Sequence, residues 1–237
     1  MAALIAFDTS TERMSVALQS GGAVFVREGD GGARASAALL PAILGVLADA
    51  GLTLAGLDAI AFGRGPGAFT GLRTACAVAQ GLAFGAEKPV LPIDTLLALA
   101  EDARFGAPHA RVWALLDARM DQIYAAEYEH AGGRWITRTA PFLTDCDALA
   151  AIWHERPPAL VAGNAIAAFG TRLDTGAAAL AAAARPSATA LLRLAEQGWS
   201  DGAAVDPALA LPLYVRDKVA QTEAERAARR ASAAVAP

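Results

Sequence analysis

The residues best suited to chemistry lie in one glycine-rich loop, residues 63–73, which reads GRGPGAFTGLR. Its glycines permit backbone conformations that a Cβ would forbid, and Thr70 is placed to cap the helix predicted to follow. The open N–H groups at the start of such a helix favour an anion or a partner's carboxylate. The loop lacks the lysine of GxxxxGK[ST] and the spacing of GxGxxG. Either a nucleotide or another protein could be its ligand.

A second polar group, Asp8, Thr9 and Ser10, directly follows the first predicted strand. In α/β folds the carboxyl ends of strands are where ligands bind. Two interpretations remain open for these residues. They are either a phosphate or metal–phosphate contact, or an Asx/ST turn that caps the hairpin after them.

A third polar group lies in LDARMDQIYAAEY, residues 116–128, at a predicted junction between a strand and a turn. Asp117 or Asp121 could present a carboxylate to a substrate. We favour a pair between an aspartate and Arg119 that orders a turn at the seam between two domains.

Histidines and cysteines do not group into a recognisable metal or nucleophile motif. The three histidines, His109, His130 and His154, are isolated, and the sequence contains no HxxxH, HExxH or CxxC. We therefore expect no tightly held transition metal. No GxSxG elbow supports a serine nucleophile. Cys76 and Cys146 are predicted to be buried, reduced thiols.

Composition and charge narrow the class of protein. The 237 residues include 20 basic and 24 acidic side chains, a net charge of −4, whereas a protein that binds nucleic acid unaided shows a clustered basic stripe. No apolar run approaches the roughly 20 residues needed to cross a bilayer. The first residues, MAALIAFDTST, have no basic region before the apolar stretch, so they are interpreted as a mature strand. The chain is expected to be cytoplasmic.

The elements that must position these groups alternate between strand and helix. Predicted strands at 4–7, 15–18, 23–26, 57–62 and 90–93 are interleaved with helices near 39–47, 72–84 and 95–103. Gly51 is expected to close the first of these helices and Gly85 the second, while Pro41 either opens or kinks the first. The pattern restarts after Phe105, with strands at 111–116, 123–128, from 135 and at 160–162, and helices at 145–153 and 187–199.

This order predicts two related α/β halves, each with a mixed sheet flanked by helices. We assign residues 1–105 to the first half, 106–215 to the second and 216–237 to a C-terminal tail that is partly helical or disordered. The tail holds five basic and three acidic residues. It is interpreted as a solvated helix end, with an RNA-touching arm as the alternative.

Small residues recur on the helix after the glycine loop. Gly71, Ala75, Ala79 and Ala83 follow one another at four-residue steps, and Ala77, Gly81 and Gly85 form a second row. Such rows let a second helix approach at backbone distance. The packing could be internal or intermolecular.

Four segments, FDTST, GRGPGAFTGLR, LDARMDQIY and PLYVRDKVAQTEAER, together resemble the bacterial TsaB (YeaZ) family, in family order and over nearly the whole chain. The resemblance implies the actin/Hsp70/hexokinase-like (ASKHA) fold and a subunit without chemistry of its own. It implies pairing with the catalytic subunit TsaD and, with the ATPase TsaE, support for threonylcarbamoylation of an adenosine beside the tRNA anticodon. ATP and metal would then be held by the partner subunits, tRNA would be met only through the complex, and the isolated chain would form a homodimer.

The resemblance also implies which residues contact partners. They are Gly65, Pro66, Gly67, Phe69, Thr70, Gly71, Leu72 and Arg73, with Ala75 one turn further along the helix. Ala68 departs from the serine usual in the family, and the lost hydroxyl weakens a phosphate role for the loop. Asp8, Thr9 and Ser10 would be a vestigial phosphate site. We expect Phe at Gly71 or Ala75 to abolish pairing and to leave the fold intact.

The catalytic relative carries a helix whose paired histidines bind a metal. The corresponding segment here, ARASAALLPAIL, contains alanine and serine and no histidine. GNAIAAFG, residues 163–170, is the nearest match to a nucleotide-gripping motif in the second half, and we interpret it as a strand-to-helix turn. Two alternatives of the same fold remain: an ATP-dependent sugar- or acid-kinase-like phosphotransferase using Asp8 and the glycine loop, or a metal-dependent peptidase.

Overall fold

A computed structural model describes residues 2–216 of the chain. The ten strands are β1 (Leu4–Asp8), β2 (Arg13–Ser20), β3 (Ala23–Asp30), β4 (Ala59–Gly65), β5 (Val90–Asp94), β6 (Ala110–Arg119), β7 (Gln122–Ala131), β8 (Arg134–Thr144), β9 (Leu160–Ala162) and β10 (Ala179–Ala181). The α-helices are α1 (Ala35–Asp49), α2 (Phe69–Ala86), α3 (Thr95–Ala103), α4 (Cys146–Glu155), α5 (Ala165–Phe169) and α6 (Ala188–Ser200). The tail predicted for 216–237 lies outside the described residues except for Arg216.

The first sheet has the strand order β3-β2-β1-β4-β5. β1, β2 and β3 pair antiparallel, and β4 and β5 continue the sheet in parallel with β1. The two hairpin glycines at the β2–β3 turn, Gly21 and Gly22, both have positive φ, as the sequence predicts. The central strand β1 is buried along its whole length because helices cover both faces of the sheet.

The second sheet repeats the same arrangement. Its order is β10-β9-β6-β7-β8, with an antiparallel meander from β6 to β8 and parallel β9 and β10. Read from the third strand of each unit, both sheets have the order third, second, first, fourth, fifth. The helices also fall between equivalent strands. The predicted pair of related α/β halves is therefore confirmed.

The helices form three layers around the two sheets. α1 and α2 pack on the outer face of the first sheet, and α4 and α5 on the outer face of the second. α6 packs on the inner face of the first sheet, and α3 packs mainly on the second. Because these two helices cross over, each half contributes to the core of the other. The division at residue 105 stays a prediction.

Several predicted element ends are wrong. α2 begins at Phe69 with Ala68 as its N-cap residue and no side-chain cap, so Thr70 lies within the first turn and does not cap it. The same helix continues through Gly85 and ends at Glu87, which has φ of 53°. Pro41 lies inside α1. The predicted caps of α4 and α6 are present, since Asp145 and Ser187 each accept a hydrogen bond from a backbone N–H of the first turn.

Within residues 2–216, no helix combines the length and the apolar character that a bilayer crossing requires.

Candidate functional site

The glycine loop is pressed against the polar segment that follows β1. A Cβ on Gly63 would overlap the carboxylate of Asp8, and one on Gly71 would overlap the carbonyl oxygen of Thr9. A Cβ on Gly67 would lie 2.6 Å from the side chain of Ser10. These three glycines are therefore required by close internal packing. The closeness leaves no open cradle between the two segments.

Hydrogen bonds lock the same two segments together. The N–H of Ala68 donates to the carbonyl of Ser10 at 2.7 Å, and the hydroxyl of Thr9 donates to the carbonyl of Gly71 at 2.7 Å. Ser10 donates to one carboxylate oxygen of Asp8 through both its N–H (2.8 Å) and its hydroxyl (2.6 Å). The Asx/ST-turn interpretation of residues 8–10 matches these contacts.

Asp8 is fully enclosed. Its second carboxylate oxygen accepts a hydrogen bond from the hydroxyl of Thr95 at 3.3 Å, and burial raises the pKa of Asp8 to about 6 although its hydrogen bonds from Ser10 and Thr95 act in the opposite direction. Of residues 8–10, only Ser10 lines a cavity, and its hydroxyl is already bonded to Asp8. These contacts give no support to a phosphate site at Asp8, Thr9 and Ser10, which stays a prediction.

The two rows of small residues on α2 face opposite ways. Gly71, Ala75, Ala79 and Ala83 are buried, and the three alanines belong to the core beneath α1 and α2. Ala77, Gly81 and Gly85 are exposed. The first row therefore provides internal packing, and the second is open to an external helix.

The predicted partner-contact residues divide in the same way. Phe69, Thr70 and Arg73 are exposed and Gly67 is half-buried. The other five are buried: Gly65, Pro66, Gly71, Leu72 and Ala75.

The expectation that Phe at Gly71 or Ala75 would leave the fold intact is wrong. A side chain at Gly71 would collide with the backbone of Thr9, and Ala75 is wholly buried in the core. Neither position can test an interface, because a large substituent at either would disturb the packing of α2 on the first sheet. The partner role of the exposed residues stays a prediction.

A cleft separates the two halves on the side of the glycine loop. It contains a cavity of about 380 Å³, whose walls include Pro66 and Phe69 from the first half and Asp117 and Tyr124 from the second. Glu12, after β1, forms an ion pair with Arg119 across the mouth of this cleft.

The β6–β7 turn forms the far edge of this cleft. Arg119, Met120 and Asp121 all have φ near 60°, the left-handed region that costs a non-glycine residue roughly 1–2 kcal/mol. Arg119 is paired with Asp117 at 3.1 Å, and its N–H donates to the same carboxylate at 2.8 Å. The predicted aspartate–arginine pair that orders this turn is confirmed. Asp121 pairs with Arg172.

The sequence analysis assigned no contacts to Tyr214 or Arg216. Tyr214 accepts a hydrogen bond from Arg73 on α2 at 3.0 Å, and Arg216 donates to the carbonyl of Ala118 on β6 at 2.8 Å. Both residues lie in the segment PLYVR, which carried the family resemblance, and that was the available signal.

The remaining candidate groups are dispersed. In the described part of the chain, no three histidine, cysteine, aspartate or glutamate residues are grouped so as to hold a metal ion. Cys76 is buried, as predicted, with its thiol 2.8 Å from the carbonyl of Ala210, but Cys146 is only half-buried. Burial raises the pKa of the Cys76 thiol. Gly163 forms the predicted strand-to-helix turn before α5, with φ of 111°.

The two repeated mixed sheets and their crossed-over helices define an α/β protein of the ASKHA-like class. The sequence model of the family described as TsaD, tRNA N6-adenosine threonylcarbamoyltransferase, matches residues 32–224. The chain is 34% identical to the Escherichia coli tRNA threonylcarbamoyladenosine biosynthesis protein TsaB over 230 residues, which cover 92% of this chain and 96% of that one. It is 45% identical to the Haemophilus influenzae TsaB protein over 124 residues, about half of each chain. The chain belongs to the TsaB (YeaZ) family.

A solved structure agrees with this assignment. YeaZ from Pseudomonas aeruginosa superposes with a TM-score of 0.82 at 38% identity, covering 90% of this chain and 100% of that one. A second solved structure from the same organism, described as similar to peptidase YeaZ, gives a TM-score of 0.83 at 38% identity.

Proposed function

We propose that this chain is the non-catalytic partner of a TsaD-like subunit in the synthesis of threonylcarbamoyladenosine next to the tRNA anticodon. In this proposal it docks through the outer helices of the first half and holds its partner in an active geometry. It also forms part of the surface that admits a TsaE-like ATPase. ATP and metal belong to the partner subunits, and tRNA is bound only by the complex. The chain is cytoplasmic, and it pairs with itself when alone.

The observation that carries the proposal is the outward glycine row of α2. A glycine inside a helix costs about 0.5–1 kcal/mol relative to alanine. Gly81 and Gly85 both lie inside α2, yet a Cβ on either would meet nothing within 4 Å. Internal packing among the described residues therefore does not require these glycines. Close approach of a helix from outside does.

Apolar side chains surround this row. Phe84 of α2 is 58% exposed, and Leu40 and Leu44 of the neighbouring α1 are 42% and 50% exposed. The two helices pack side by side on the same face of the first sheet, so their outward faces form one surface. A combined apolar and small-residue face of this kind is typical of a helix-packing interface. We call it the α1–α2 face.

The test uses a large side chain on the open row. Gly81→Trp is expected to leave the unfolding transition in place and to weaken association with the TsaD-like subunit at least tenfold, because the indole would hold the two backbones apart. Association is measured by co-expression and calorimetric titration, self-association by light scattering, and modification by a tRNA assay in which each subunit is omitted in turn.

The matched control is Ala151→Trp, on an exposed position of α4 in the second half. It adds the same side chain away from the α1–α2 face and is expected to leave association unchanged. Gly81→Ala should keep pairing. Normal association of Gly81→Trp would refute the interface, and ATP turnover by the isolated chain would favour the phosphotransferase alternative.

A further inference from the structure

The last described residues, Leu211–Arg216, cross the cleft between the two halves, and we call them the strap. The strap first adds to the wall formed by the glycine loop. The N–H of Leu213 donates to the carbonyl of Arg64 at 2.7 Å. The carbonyl of Leu213 lies so close to Gly65 that a Cβ there would be 2.7 Å from it. Gly65, with φ of 116°, is thus shaped to receive the strap.

The next residue of the strap, Tyr214, is fastened to the first turn of α2. Its hydroxyl accepts a hydrogen bond from Arg73 at 3.0 Å, and its ring lies 5.5 Å from that of Phe69. The guanidinium of Arg73 lies 3.7 Å above the Phe69 ring, an arrangement that adds cation–π attraction. Tyr214 is nevertheless 46% exposed. Directional contacts hold it in place, and burial contributes less.

The end of the strap is fastened to the opposite half. The guanidinium of Arg216 donates to the carbonyls of Ala118 at 2.8 Å and Arg119 at 3.4 Å, and lies 3.2 Å from the sulfur of Met120. These atoms belong to the β6–β7 turn with its three left-handed residues. A charged donor on two carbonyls of such a turn stabilises a conformation that its own backbone disfavours.

We infer that the strap mechanically couples the first turn of α2 to the β6–β7 turn, so that a displacement of one changes the stability of the other. One residue, Val215, separates the two fastenings, and an extended chain spans only about 3.3–3.6 Å per residue. The connection therefore has little slack. Because its contacts are largely on the surface, the strap can be released at lower free energy than the core.

The coupling gives the α1–α2 face a route to the cleft. Phe69 and Arg73 lie at the N-terminal end of α2, and a partner on that face would contact or shift them. This consequence rests on the proposed function, whereas the coupling itself does not. The experiment below accordingly uses the full-length chain without partners, and the failure of Gly81→Trp to weaken pairing would leave its result unaffected.

The test is amide hydrogen exchange by NMR in two variants that each release one end of the strap. Tyr214→Ala removes contacts only with the first half, and Arg216→Ala removes contacts only with the second. The reporters are the amide of Leu213, bonded to Arg64, and the amide of Arg119, bonded to Asp117. Each variant is expected to accelerate exchange at both reporters about tenfold, as fits the loss of one anchoring interaction.

Reciprocity is the feature that separates coupling from local fraying. Acceleration at Leu213 alone in Tyr214→Ala, with wild-type exchange at Arg119, would overturn the inference. Arg138→Ala is the control, because it removes an arginine–carboxylate pair with Glu129 inside the second sheet, and it should change neither reporter. The core amide of Ile60 on β4 should stay protected in every variant, which shows that the fold is intact.

Discussion

Asp8 is a carboxylate with no exposed surface of consequence, held by hydroxyl and amide donors from Ser10 and Thr95. The glycine loop closes over it, since a side chain at Gly63 would collide with it. Burial raises its pKa to about 6, and the hydrogen bonds only partly oppose this shift. At neutral pH the protein therefore carries a buried negative charge that lowers its stability.

The first prediction concerns the pH dependence of stability. Between about pH 4 and 6 the folded state keeps a proton on Asp8 that the unfolded chain has already lost, so the free energy of unfolding falls as pH rises through this window. A shift of about two pKa units corresponds to about 3 kcal/mol, fully lost above pH 6. Asp8→Asn should remove this fall and be more stable than wild type at pH 7. Urea unfolding at several pH values measures it.

The exposed Asp147 on α4 provides the control for this experiment. Asp147→Asn should retain the wild-type decline between pH 4 and 6. If Asp8→Asn also retained it, the decline would have another origin and the assignment to Asp8 would be wrong.

At the scale of the element, α2 determines what the first half shows to its surroundings. Its buried row of small residues allows the helix to lie against the first sheet, and its outward row remains available. The helix continues past Gly85 to Glu87, whose N–H lies at the carbonyls of Ala83 and Phe84. Glu87 takes the left-handed conformation that glycine usually provides at a helix end.

The second prediction follows from this end. Glu87→Gly should raise the free energy of unfolding by about 1 kcal/mol, because glycine adopts the left-handed conformation without the strain imposed by a Cβ. Gly85→Ala should also be stabilising, by about 0.5–1 kcal/mol, since the residue is helical. Thermal and urea unfolding measure both variants. A destabilised Gly85→Ala would mean that the helix ends at Gly85 after all.

At the scale of the whole molecule, Glu101 ties the middle layer to the second sheet. It is 2% exposed and accepts hydrogen bonds from Arg104 on the same side of the layer, Arg193 on α6 and the indole of Trp135 on β8. Burial alone would raise the pKa of Glu101, but the donors from Arg104, Trp135 and Arg193 outweigh it and lower the pKa. The charged carboxylate is therefore part of the connection between the halves.

The third prediction is that Glu101→Gln lowers the free energy of unfolding by about 3 kcal/mol, because it leaves two guanidinium groups around a neutral amide. In wild type, this contribution is present above the unfolded glutamate pKa and is lost as pH falls through the lower folded value. The variant should therefore lose less stability on acidification. Urea unfolding at pH 7 and below pH 4 measures both effects.

The more exposed pair between Glu129 and Arg138 provides the comparison. Glu129→Gln should change stability little, because solvent screens that pair. Equal losses for Glu101→Gln and Glu129→Gln would contradict the role assigned to the buried network.

The sequence by itself determined the order of strands and helices, the glycine turns of the hairpins and the caps at Asp145 and Ser187. These features depend on neighbours within a few residues, whose φ preferences and hydrogen-bonding groups act locally. It also allowed the two halves to be recognised, because the alternation of elements restarts along the chain. The family motifs were legible for the same reason, since each is a short contiguous segment.

Only the tertiary structure decided which row of α2 faces inward, that α6 covers the first sheet, and that Arg216 reaches the β6–β7 turn. Each depends on partners distant in the chain, as in the contact between Thr9 and Gly71 or between Arg216 and Ala118. Periodicity shows that a helix has faces, but burial depends on which surface meets each one. The small residues of α2 satisfy the same spacing on both sides, so packing against the sheet was needed to tell them apart.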